Sequence, residues 1–115
     1  MEEETRKYEL ATIFDPEIDE SDLPNHISGL EDIVVNAGGK MINKEIWGLK
    51  DLAYPIKKRV SGYYVFYQFV APHEAPHKIR DAIRLREDVI RQMTIVRDEF
   101  PEPMEGGEDY GSPQE

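Results

Sequence analysis

Apolar residues recur along this chain with two different periods. In residues 7–14, KYELATIF, they alternate: Tyr8, Leu10, Thr12 and Phe14 share one side, and Glu9, Ala11 and Ile13 share the other. That is the two-residue period of a strand, and Asp15-Pro16 ends it. The period then changes. Leu23, Ile27, Leu30 and Val34 follow at helical spacing, an apolar stripe along one helix face. Ser21 or Asp22 offers a cap, Pro24 suits the first turn, and Gly38-Gly39 closes the helix in a left-handed conformation. Residues 40–56 suit a long second strand, with a bulge at Gly48 and an edge position dictated by Pro55, which has no N–H for a ladder. A turn is expected over 57–62. The aromatic run YYVFYQFV at 63–70 is the clearest strand. A second helix is expected over 74–85 with Ile79, Ala82 and Ile83 on one face, and a last strand over 89–96.

Strand, helix, strand, strand, helix, strand is the βαββαβ order of the split βαβ arrangement. It predicts an α+β domain: a four-stranded antiparallel sheet with both helices on one face and the second and fourth strands at the edges. The other sheet face is left without a covering layer. The aromatic strand carries rings toward both faces, because Tyr63, Val65, Tyr67 and Phe69 alternate with Tyr64, Phe66, Gln68 and Val70. Rings on an uncovered sheet stack on unpaired bases or form the core of a protein interface.

Charge sharpens this reading. The chain has net charge −10, which argues against phosphate binding, but the charge is unevenly spread. Residues 1–39 hold two bases against eleven acids, residues 40–97 hold twelve bases against six acids, and residues 98–115 hold seven acids and no base. The middle of the chain is therefore basic. Lys50, Lys57, Lys58 and Arg59 flank the expected hairpin, Arg6 and Lys7 precede the first strand, and Arg91 and Arg97 stand at even spacing on the last strand, so both project from one face. Together they form a candidate rim for phosphate contacts. Residues 99–115 are rich in Pro, Gly and acids and are expected to be a disordered tail, which leaves 5–98 as the folded domain.

Other chemistry is thinly represented. There is no cysteine, hence neither disulfide nor thiolate chemistry. The acidic start MEEETRK reads as neither a secretory signal nor a transit peptide, and no apolar run is long enough to span a bilayer; a soluble, cytoplasmic protein without membrane partners is expected. His73 and His77 stand four apart with Glu74 between them, yet no further His or Cys lies near, and His26 has no evident triad. No catalytic residue, metal site or cofactor is expected.

The runs KYELATIFDP, NAGGK, WGLKDLAYPIKK, GYYVFYQF and LREDVIRQMTIVR resemble the family of the sixth protein of the bacterial small ribosomal subunit, over about residues 5–98. The LAYPI-K-K segment is the most specific piece. The resemblance implies a ferredoxin-like domain that is a structural component of the ribosome. It also implies binding to the central domain of the small-subunit ribosomal RNA, together with the eighteenth small-subunit protein. By the same resemblance Arg6, Tyr8, Tyr54 and Arg91 lie near RNA or the partner protein, and Lys50, Lys57 and Lys58 match basic positions. A stand-alone RNA recognition module shares the topology, but SGYYVFYQF fits its aromatic pattern only in part, with Ser61, Tyr64 and Gln68 at variance. A small ferredoxin-like enzyme is the remaining alternative, and no residue constellation favours it.

Overall fold

The alternating and helical segments form the expected elements in a computed structural model, which describes residues 4–97. They are β1 (Thr5–Phe14), α1 (Leu23–Asn36), β2 (Lys40–Ile56), β3 (Arg59–Pro72), α2 (Ala75–Arg84) and β4 (Val89–Arg97), with a 3-10 turn at Glu20–Asp22 before α1. The tail expected over 99–115 lies outside the described residues. The strands pair antiparallel in the order β2-β3-β1-β4, so β2 and β4 are the edges. Tyr8, Leu10 and Phe14 of β1 and Tyr63, Val65, Tyr67 and Phe69 of β3 pack beneath Leu23, Ile27, Leu30 and Val34 of α1 and Ile79 and Ile83 of α2. One face of the sheet therefore carries the helices and the core. Tyr67 is fully buried there, and its hydroxyl donates to the carbonyl of Ile27 at 3.1 Å, which satisfies its polar end.

The helix ends differ from each other. Asp22 occupies the N-cap of α1 but makes no side-chain capping bond; its carboxylate instead accepts from Asn25 Nδ2 at 3.2 Å and lies 3.5 Å from His26 Nε2. The 3-10 turn before it leaves Asp22 with helical dihedrals, which point the carboxylate away from the free N–H groups. The C-terminus behaves as the glycine pair implies. Gly38 has φ +100°, its N–H donates to Val35 O, and that of Gly39 donates to Val34 O, the two bonds of a Schellman motif. A Cβ on Gly39 would sit 2.8 Å from Val34 Cγ1 and 2.9 Å from Val34 O, so this position excludes a side chain as well.

The hairpin is tighter than the sequence suggested. Instead of a turn over 57–62, only Lys57 and Lys58 lie between the paired Ile56 and Arg59, and both have positive φ, 50° and 68°. Such a two-residue turn matches the twist of the flanking strands, so β3 starts four residues earlier than its aromatic run. Register breaks occur in β2 around Ile42 and Trp47, the second beside Gly48 with φ +88°. A larger one follows, where residues 52–55 oppose the single Val60. Pro55 sits in that break, where no ladder bond is lost.

Candidate RNA and partner interface

Side-chain alternation along the paired strands assigns the open face of the sheet. β1 contributes Lys7, Glu9, Ala11 and Ile13; β3 contributes Tyr64, Phe66, Gln68 and Val70; β4 contributes Arg91, Met93, Ile95 and Arg97. From β2 come Lys40, Asn43, Glu45 and Lys50, and the bulged Trp47 turns the same way. Its ring lies 4.9 Å from that of Phe66 and 6.5 Å from that of Tyr64. Lys50 Nζ lies 5.9 Å from the Trp47 ring centroid, within range of a cation–π attraction. Trp47 shields Phe66, which is buried although it points away from the core. Met93 and Ile95 remain exposed.

A polar strip crosses all four strands on this face, and sequence reasoning missed it. Asn43 Nδ2 donates to Gln68 Oε1 at 3.1 Å, Gln68 Nε2 donates to Glu9 Oε2 at 2.8 Å, and Arg97 Nη1 donates to Glu9 Oε1 at 2.8 Å. Glu9 is only 1% exposed, and a carboxylate so deeply covered requires such partners. The signal was present in Glu9, Gln68 and Arg97, polar residues at the strand positions that alternate with the core, but it becomes visible only once strand register is known. Acids are not excluded from this surface. Glu9 and Glu45 both belong to it, one matched by Arg97 and the other accepting from Trp47 Nε1 at 3.3 Å.

Several of the anticipated residues meet here. The break at 52–55 loops Tyr54 out of the ladder, and Arg91 Nη1 of the far edge strand donates to its hydroxyl at 3.2 Å. Burial raises the Tyr64 hydroxyl pKa, with Arg91 pulling it down in part, so Tyr64, Arg91 and Tyr54 form one cluster. Lys50 stands beside it through Trp47, and Lys57 and Lys58 are exposed at the hairpin tip. Two anticipated residues go elsewhere. Tyr8 is 3% exposed and stacks on Phe69 at 5.7 Å within the core, because even positions of β1 face the helices. Arg6, opposite Ala71, lies on that same side at the exposed start of the strand.

Arg59 is not a free rim cation either. Its Nε and Nη2 each donate to one oxygen of Asp15 at 3.1 Å, and Glu17 lies 3.8 Å away. The hydrogen bond from Arg59 holds the Asp15 carboxyl below its ordinary range against a smaller opposing effect of burial. On the helix side, Asp88 accepts from Arg86 at 2.9 and 2.6 Å and lies 2.6 Å from His26 Nδ1. Burial pushes the Asp88 carboxyl up, but the bonds from Arg86 and His26 outweigh it and hold the carboxyl low. Of the remaining histidines, His77 accepts from Arg80 at 3.0 Å and His73 lies 3.7 Å from Glu74. Among the described residues no group of three or more His, Cys, Asp or Glu could hold a metal ion, and no helix is long and apolar enough to cross a membrane.

Known proteins are similar to this chain in fold and in sequence. The Thermotoga maritima 30S ribosomal protein S6, whose crystal structure is known, superposes with a TM-score of 0.75 at 27% identity, covering 82% of this chain and 89% of that one. The small ribosomal subunit protein bS6 of Dictyoglomus turgidum is 36% identical over 91 residues, 79% of this chain and 94% of the relative. That of Clostridium botulinum strain 657 is 36% identical over 93 residues, 81% of this chain and 99% of the relative. The family model described as Ribosomal protein S6 matches residues 7–96, nearly the whole run of elements from β1 to β4: the chain belongs to the ribosomal protein S6 family.

Proposed function

We propose that this protein is a structural component of the small ribosomal subunit. In this reading it binds the central domain of the small-subunit ribosomal RNA jointly with the eighteenth small-subunit protein. The observation that carries it is the composition of the open sheet face. Lys7, Lys40, Lys50, Arg91 and Arg97 stand around a floor of Trp47, Tyr64, Phe66, Met93 and Ile95, against two carboxylates. Cations at the margin suit phosphate, and the exposed apolar patch on β4 suits a protein surface. The stand-alone RNA recognition reading loses support, because β1 offers no aromatic ring to this face, so paired stacking platforms on the two central strands are missing.

Joint binding has an electrostatic rationale. A chain of net charge −10 is repelled by RNA at long range, and a basic co-partner offsets that repulsion. In a filter-binding assay with central-domain RNA, the protein is expected to bind weakly alone and at least tenfold more tightly with the co-partner present, on the order of 1.4 kcal/mol of coupling. Equal affinity with and without the co-partner would refute joint binding.

A further inference from the structure

We propose that the acidic segment 98–115 is an intramolecular occupant of the open sheet face, covering its cations until RNA displaces it. The proposal rests on the reading of that face as a polyanion-binding surface. The first support is position. β4 ends at Arg97, a corner residue of the open face that pairs across the strand with Lys7, so the segment starts beside two of the cations. The second is charge. The segment holds seven acids and no base. The face offers Lys7, Lys40, Lys50, Arg91 and Arg97, with Lys57 and Lys58 at the adjoining hairpin tip. The third is apolar content. Phe100, Met104 and Tyr110 interrupt the acids, as side chains do that settle on a floor of Trp47, Tyr64, Met93 and Ile95.

Reach and geometry decide the manner of docking. Eighteen residues span roughly 60 Å when extended, and the longest dimension of the described protein is 46 Å, so every rim cation is within range. Pro101, Pro103 and Pro113 lack the N–H that a ladder needs. They disfavour docking by addition of a further strand to β4. A tether of this length gives an effective concentration on the order of 1 mM. A contact of similarly weak intrinsic affinity then occupies the face about half the time. RNA bound only through scattered phosphates competes poorly with such a cover, whereas RNA held together with a protein partner displaces it.

The test compares the full-length protein with a full-length variant in which all seven tail acids become their amides, first without RNA. Trp47 is the chain's one tryptophan and lies on the face in question. Amide and indole NMR shifts that differ between the two proteins at Trp47, Lys50, Arg91 and Arg97, and converge near about 0.5 M salt where screening is short-ranged, are the expected result. Spectra that coincide over residues 5–97 at low salt, or differences confined to α1 and α2, overturn the proposal. A second arm measures affinity for an unstructured RNA at low salt. The amide variant is expected to bind about threefold to tenfold more tightly, and unchanged affinity overturns the masking. If neither protein bound RNA, the reading of the face would fall; the shift comparison, which contains no RNA, would still decide the docking.

Discussion

Asp88 shows how single residues tie the helix layer to the sheet. It follows α2 and precedes β4, yet its carboxylate holds Arg86 and reaches His26 on α1. Because its pKa, like that of Asp15, is depressed in the folded state, the stability that each contributes is fully present above the unfolded value of about 4. It is lost as pH falls through the lower folded value. Asp88→Asn is therefore expected to lower stability at neutral pH by about 1–3 kcal/mol and to flatten the acid limb of a urea-denaturation series below about pH 4. An acid limb parallel to that of the parent protein would show that Asp88 is not the group involved. At Gly39 the constraint is steric. Gly39→Ala presses a methyl against Val34, and a loss of about 1–3 kcal/mol is expected by the same denaturation measurement.

The second strand and its hairpin separate what the sequence discloses from what it hides. Alternation located β1, aromatic and β-branched content located β3, and the apolar stripe located α1 to within a residue or two, because side-chain burial on one face imposes those periods directly. Pro55 identified the edge by its missing donor. The hairpin turn was misread because 57–62 holds Ser61 and Gly62, which resemble turn residues. In the fold, Gly62 instead lies in β3 where any side chain would run into Ile13. Tyr8 was misplaced for a related reason: resemblance supplied a neighbourhood, but strand parity decides the face, and parity put Tyr8 in the core. Lys57 and Lys58 hold left-handed conformations that cost non-glycine residues about 1 kcal/mol or more each. Replacing them with Asn and Gly relieves this strain. The Lys57→Asn, Lys58→Gly variant is expected to gain about 1 kcal/mol in stability while weakening assembly into the ribonucleoprotein. A variant that is stabilised and binds undiminished would remove the two lysines from the interface.

At the scale of the whole molecule, the two faces of the sheet have different tasks. One is sealed by helices over an apolar core; the other combines rings, a crossing strip of hydrogen bonds and marginal cations. A bulk excess of acid conceals this, and only strand register brings Lys40, Lys50, Arg91 and Arg97 together on the open side. Cations also occur on the outer surface of α2, where Lys78, Arg80 and Arg84 are exposed, so a general attraction for RNA would use either side. The decisive measurement compares two full-length charge-reversal variants of equal charge for binding to central-domain RNA with the co-partner protein, after circular dichroism shows both folded. Lys50→Glu with Arg91→Glu reverses the open face, and Lys78→Glu with Arg84→Glu reverses the helix face. The open-face variant is expected to lose about tenfold or more in affinity, each lost phosphate contact also lowering the salt slope by roughly one, while the helix-face variant stays near the parent protein. Equal losses, or a larger loss from the helix face, would contradict the assignment of function to the open sheet.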